Sequence, residues 1–270
     1  MLERFTYKNH INETIEFGCG GLYVNENNLR DFVWNISTKN GKITSFDRGV
    51  VSKTIPVSIL SGDAKELKNR LFEICEKDVL TKKHGRIIIG DYYLKCFVTA
   101  SSKTSYLQSR KHTEIAMTVT TDYPYWIKET RNSFGNSEEN TDLYLDFNTD
   151  FVYDYTSNML GKQLNNAGIT PANFKIMIYG PCINPSINIG GHTYSVNVSL
   201  AKNEYLTIDS ITKKIILKHT DGSETNCFNL RNRESYIFEK IQVGTNLVSI
   251  TGDFKFDVTL LEERSEPKWI

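Results

Sequence analysis

The sequence predicts a mainly β protein of two domains, the first with one α-helix added to a β-sandwich or barrel-like body. Three observations predict it. Short runs alternate apolar and polar residues with period two, as Phe254, Phe256, Val258 and Leu260 do against Lys255, Asp257 and Thr259. Tight-turn dipeptides punctuate the runs, among them Asn40-Gly41, Gly190-Gly191 and Asp221-Gly222. Only one stretch, after Asp63, has clear helical spacing.

Phe5 and Tyr7 alternate with Thr6 and Lys8 as a first strand. Phe32, Trp34 and Ile36 alternate with Val33 and Asn35 up to Asn40-Gly41, and Ile43 resumes beyond the turn. Asp63 supplies an N-cap acceptor and Glu66 a carboxylate at the third helical position, the capping-box spacing. Leu67, Leu71, Ile74 and Cys75 then share one helix face, with Lys65, Lys68, Asn69 and Glu73 away from it, so the helix packs on a sheet. Ile87 to Ile89 and Tyr92 to Val98 flank Gly90-Asp91, which suits a type II′ turn with glycine first.

The segment from Ser101 to Lys111 is polar and basic around Tyr106 and Leu107, and reads as an exposed hairpin tip between strands ending at Val98 and restarting near Ile115. Its sharper reading is an arm reaching a neighbouring subunit through Lys103, Tyr106, Leu107, Arg110 and Lys111. Arg131 to Asp142 is almost wholly polar and reads as a linker, giving a first domain of 1–130, a linker of 131–141 and a second domain of 142–253. Residues 254–270 form a strand and tail that either complete the second domain or return to the first. Pro267 keeps that tail extended, and Trp269 anchors it on a domain surface.

In the second domain Ile187 and Ile189 lead into Gly190-Gly191, and Tyr194, Val196, Val198 and Leu200 alternate beyond it. Leu206 and Ile208 follow, then Ile215 to Leu217 run into Asp221-Gly222, placed as a type I′ turn. Aromatics at 144, 147, 151, 153 and 155 interleave with Asp142, Asp146, Asp150 and Asp154. Such interleaving can stack on sugar rings, which gives the alternative reading, a carbohydrate-binding module for host cell-wall saccharide. Alternation at 151, 153 and 155 favours a buried strand face.

Across 270 residues, 32 basic and 32 acidic side chains cancel, which argues against a phosphate backbone or an anionic membrane as partner. The first twelve residues carry charge and no apolar core, so no secretory signal is expected and the chain is expected in the cytoplasm of its producer. Cys19, Cys75, Cys96, Cys182 and Cys227 are odd in number and far apart, which predicts reduced thiols. His192 and His219 lack a neighbouring ligand at metal spacing, so no metal and no cofactor is expected. No nucleophile elbow, Walker loop, zinc helix or dinucleotide fingerprint occurs. The pairs Glu138-Glu139 and Glu262-Glu263 read as solvated charges, so no catalytic residue is assigned and an enzyme is disfavoured.

The run GPCINPSINIGGHTYSVNVSLAKNEYLTID from Gly180 to Asp209, with Asn226 to Phe228, Gly244 to Asn246 and the closing EERSEPKW from Glu262 to Trp269, resembles the distal tail (Dit) proteins of siphophages and prophages. The resemblance covers essentially the whole chain. It implies a galectin-like β-sandwich for the second domain, uninterrupted by the insertion that adds a carbohydrate-binding module to enlarged members. It further implies a virion protein of the tail tip and baseplate, a homo-hexamer whose ring forms through the N-terminal domains. Implied partners are the tail tube protein, the tail-associated hub protein, the tape measure protein and, in some phages, the receptor-binding protein.

Overall fold

The computed structural model describes residues 4–24, 26–61, 64–105, 112–135 and 163–269. The chain divides into two compact units, Met1–Lys128 with Glu263–Ile270, and Glu129–Glu262.

The first unit opens with β1 (Phe5–Lys8), β2 (Thr14–Phe17) and β3 (Leu22–Val24), followed by the hairpin β4 (Asn35–Lys39) and β5 (Lys42–Asp47). Then come β6 (Val51–Leu60), α1 (Ala64–Thr81), β7 (Gly85–Ile89), β8 (Tyr92–Ser105), β9 (His112–Thr121) and β10 (Trp126–Phe134). The long β8 does two jobs. Its first half pairs with β7, which continues to β1 and β2, while from Phe97 it pairs with β9, which continues to β6 and β3. Register shifts at Val98/Ala100 and Lys103/Ser105 mark irregularities in that second pairing, of the kind that bends and twists a strand. Phe5, Phe17, Ile59, Leu94, Met117 and Trp126 are among the side chains that fill one core between these sheets.

Leu71, Ile74 and Cys75 of α1 enter that core and Leu67 packs against it, the face that the spacing predicts. Asp63 lies outside the described residues. One buried residue on α1 escapes a hydrophobicity pattern: the Asp78 carboxylate is fully buried. It accepts a hydrogen bond from the Tyr7 hydroxyl at 2.5 Å and another from the His10 amide at 2.9 Å, and His10 Nδ1 lies 2.5 Å from it. Burial, then the bond to Asp78, pushes the Tyr7 phenol far above its usual range, so it stays a donor. The knot ties α1 to the β1–β2 turn.

The second unit comprises β11 (Gln163–Asn166), β12 (Asn173–Tyr179), β13 (Cys182–Ile183), β14 (Ser186–Ile189), β15 (His192–Ser195), β16 (Ser199–Leu200), β17 (Tyr205–Asp209), β18 (Lys214–Lys218), β19 (Glu224–Asn226), β20 (Gly244–Thr251) and β21 (Lys255–Arg264). One sheet runs β19-β18-β17-β12-β21 and a second β11-β20-β14-β15. Phe174, Ile208, Leu217 and Phe256 of the first share a core with Leu164, Ile187, Tyr194 and Val248 of the second, so the unit is a β-sandwich.

Several expectations need correction. Arg131 to Phe134, read as the start of a linker, continue β10. Polar composition hid two specific contacts: Phe134 stacks on Phe256 at 5.1 Å, and Arg131 pairs with Asp257 at 2.5 Å. Asp257 also receives the Tyr179 hydroxyl and is buried, although alternation assigns it to the wet face. The run from Tyr194 to Leu200 is not one strand, because the Val196 and Asn197 amides bond to the carbonyls of Pro185 and Leu230. Asp221-Gly222 is not a type I′ turn: only Gly222 has positive φ, at 83°, and its amide bonds to the His219 carbonyl. Gly90-Asp91 does have the glycine-first signature, with φ of 56° at Gly90 alone. Finally, Lys255 to Leu261 of β21 pair with β12, while Glu263 onward belongs to the first unit, so strand and tail go to different units.

Gly85 faces the Asp78 knot. A Cβ there would fall within 3.0 Å of both the Asp78 carboxylate and the Tyr7 hydroxyl. Gly85→Ala is therefore expected to destabilise the chain by about 1–3 kcal/mol, as overpacking does. Urea denaturation checks this, and an unshifted midpoint contradicts it.

Candidate functional site

Hairpin β4–β5 is the unusual element of the first unit. Asn40-Gly41 closes it, with φ of 52° and 72°, and among the described residues β4 and β5 pair only with each other. A register shift at Ser37/Thr38 interrupts the ladder, and Thr44 Oγ1 donates to the Ser37 carbonyl at 3.1 Å. Every residue of both strands is exposed. Ile36, Ile43 and Phe46 are 57%, 55% and 61% accessible, and flanking Val33 and Val50 are more so. An isolated two-stranded ribbon is marginal in water, and clustered exposed apolar side chains mark an interaction surface.

The base of the hairpin is held by Arg48. Its guanidinium sits 5.0 Å from the Tyr125 ring, 5.2 Å from Trp34 and 5.9 Å from Phe32, distances at which a cation is attracted to a ring face. Trp34 also meets Phe46 and Tyr125 edge-on. Arg48 is only 8% accessible, its Nη1 lies 3.5 Å from Ser265 Oγ, and its Nε has no hydrogen-bond partner among the described residues. Burial lowers the guanidinium pKa, with Tyr125 opposing the shift. A buried donor left open is costly and calls for an acceptor.

Lys53 secures the loop before the hairpin. Its Nζ donates to the Asn28 carbonyl at 2.9 Å and to that of Asp31, while the Thr54 amide donates to Asn28 Oδ1 at 2.9 Å. Leu29, in the same loop, is fully buried. The C-terminal tail meets this region at alternate residues: Glu263 accepts from the Tyr123 hydroxyl, Ser265 faces Arg48, and the Pro267 carbonyl accepts from Arg30 Nη1 at 2.8 Å. Arg30 then lies 4.0 Å over the Trp269 ring. Trp269 is nevertheless 75% accessible and Pro267 buried, so Arg30 covers one face of the indole and solvent the other.

Sequence reasoning placed an intersubunit arm elsewhere. Lys103 lies in β8 with its Nζ 4.9 Å over the Phe72 ring of α1, folded onto its own helix. Tyr106, Leu107, Arg110 and Lys111 lie outside the described residues, as do Glu138, Glu139 and the aromatic and acidic run 142–155. Hairpin β4–β5 was missed as a surface because its alternation of apolar and polar residues is the pattern of a half-buried strand. The available signal was its aromatic and basic rim, Trp34, Phe46 and Arg48.

No metal-holding group occurs among the described residues. His192 Nε2 contacts the Tyr236 carbonyl at 2.9 Å, whereas His219 contacts Glu204 at 2.6 Å and Thr225 at 2.9 Å. The five cysteines are free, and burial pushes the Cys75 thiol up to about 12. No helix among the described residues is long and apolar enough to cross a membrane.

No family model and no curated protein matches the sequence. Solved structures do. A chain of the phage P2 baseplate in its activated conformation with Ca aligns at TM-score 0.63 and 10% identity, over 99% of this chain and all of that one. The phage p2 baseplate in its activated conformation with Sr aligns at 0.60 and 12% identity, over 98% and 99%. The SPP1 Dit protein, described as a hub adsorption apparatus of phages infecting Gram-positive hosts, aligns at 0.59 and 9% identity, over 96% and 99%. The chain has a Dit-like fold.

Burial moves the Lys53 pKa down to about 8, with Asp31 opposing and Arg48 assisting. Below that value folded and unfolded chains both hold the proton, and from there to about 10.4 only the unfolded chain holds it, so stability rises with pH across this window. Urea melts of the wild type and Lys53→Met through that range test it. The expected outcome is a wild-type gain absent from the variant; parallel curves contradict it.

Proposed function

We propose that this protein is a structural component of a phage or prophage tail, a hub at the junction of tail tube and tip. In this reading six copies close into a ring through their first units. The ring meets the tail tube on one side and the tail-associated hub and tape measure proteins on the other, and carries the receptor-binding apparatus where one is present. Its place is the virion, and its work is positional.

The observation that carries the reading is the likeness of fold to the phage P2 baseplate chain and to SPP1 Dit over nearly the full length of both partners. Ring closure needs two complementary surfaces on each copy, and the exposed apolar hairpin 35–47 supplies one surface of the required kind. A formal charge of zero is also compatible with close packing of identical copies.

Native mass spectrometry and negative-stain microscopy of the full chain test the proposal, alone and mixed with the tail tube protein of the same phage. The expected result is a closed six-fold ring in at least one condition. A chain that stays monomeric in both contradicts the proposal.

A further inference from the structure

We infer that the outward face of sheet β11-β20-β14-β15 is a binding face for a neutral saccharide chain. The inference stands apart from the ring reading, since it concerns the second unit alone.

Strands of a two-sheet sandwich turn alternate side chains into the core and out to solvent. Leu164, Ile187, Ile189, Tyr194 and Val248 go in. On the outward side Asn165 lies opposite Thr245 and Gln163 opposite Leu247, where β11 forms one edge. Toward the other edge Ser249, Asn188 and Thr193 make one row across three strands, and Thr251, Ser186 and Ser195 make the next. None of these residues is charged, in a chain whose residues are 24% charged.

The other sheet of the same sandwich is the comparison. Its outward positions carry Lys175, Asp209, Lys214, Lys218, Glu224 and Lys255, the mixture of charges expected of a solvated surface. Exposure to water therefore does not account for the uncharged face.

Most polar groups on that face are also uncommitted. Asn188 is engaged: its Nδ2 donates to Thr193 Oγ1 at 3.2 Å, and its Oδ1 accepts from the Gly191 amide at 3.1 Å. The side chains of Gln163, Asn165, Ser186, Ser195, Ser249 and Thr251 enter no hydrogen bond with another described residue. A side-chain amide offers two donors and an acceptor, and a hydroxyl both donates and accepts.

That chemistry selects the ligand class. A nucleic acid or another polyanion is held by lysine and arginine, which the face lacks. The centre of a protein contact favours aromatic residues, methionine and arginine, and the outward positions hold none. A neutral polyhydroxyl chain takes hydroxyl and amide partners, which cost less to strip of water than charges do. The C–H face of a sugar ring also needs an apolar patch, and Leu247, 68% accessible opposite Gln163, supplies one. Neighbouring strands lie about 4.8 Å apart, so the rows set polar groups at regular steps across the sheet, as a chain of sugar rings presents its own hydroxyls.

The full chain is applied to an array of neutral oligosaccharides of glucose, galactose, rhamnose and N-acetylglucosamine, with sulfated and phosphorylated ones beside them. Calorimetric titration then measures affinity for the best neutral binder. The wild type is expected to bind a neutral oligosaccharide with a Kd below about 1 mM. Gln163→Ala with Leu247→Ala, and separately Ser249→Arg with Thr251→Arg, should each weaken binding by roughly tenfold or more, as loss of two contacts implies. Lys175→Ala with Lys214→Ala, on the other outward face, should leave affinity unchanged. Circular dichroism verifies folding, and the alanine pair decides if the arginine pair does not fold.

No binding of any neutral oligosaccharide, binding confined to the anionic ones, or affinity that survives the substitutions on this face overturns the proposal. Equal loss in the Lys175 and Lys214 variant overturns it too. Each of these outcomes leaves the tail-hub reading standing, because that reading rests on the likeness of fold.

Discussion

A β-sheet persists in water only when its apolar face is covered and its edges are paired, bent or charged. Both units of this protein meet that constraint with their own residues: β8 serves two neighbouring sets of strands around one core, and the second unit closes two sheets face to face. Hairpin β4–β5 does not. Among the described residues it is paired only internally, and Ile36, Ile43 and Phe46 are exposed. The functional account follows from that exception, because among the described residues nothing covers the apolar side chains of this ribbon, and such a ribbon calls for cover.

The hairpin is exposed but not loose at its base. Arg48 binds three aromatic rings, Lys53 fixes the preceding loop to β6, and the tail residues from Glu263 to Trp269 add contacts at alternate positions. Pre-organised presentation lowers the entropy lost when a surface is bound. The buried guanidinium and buried ammonium are therefore supports for an exposed edge, and the open Nε of Arg48 leaves one polar demand for a partner to meet.

Much of the fold was legible because local chemistry and tertiary structure agree. The turn at Gly90-Asp91, the hairpin through Gly190-Gly191 and the buried face of α1 follow from residues close in sequence. Illegible features depend on partners far away in the chain. Asp257 is buried because Arg131 and Tyr179 reach it, Asp78 because Tyr7 and His10 do, and neither fact leaves a trace in periodicity. The candidate surface was hidden for a related reason: period two states that one face differs from the other, and says nothing about whether the apolar face is covered by the same chain or another. Lys103, read from composition as part of an arm, has its Nζ over the Phe72 ring, a contact that composition does not reveal.

The most direct measurement is amide hydrogen exchange over residues 35–47, compared between the isolated chain and the ring proposed above. The account predicts fast exchange of the outer-edge amides in the isolated chain and strong protection in the ring. Equal exchange of the hairpin in the two states would contradict it.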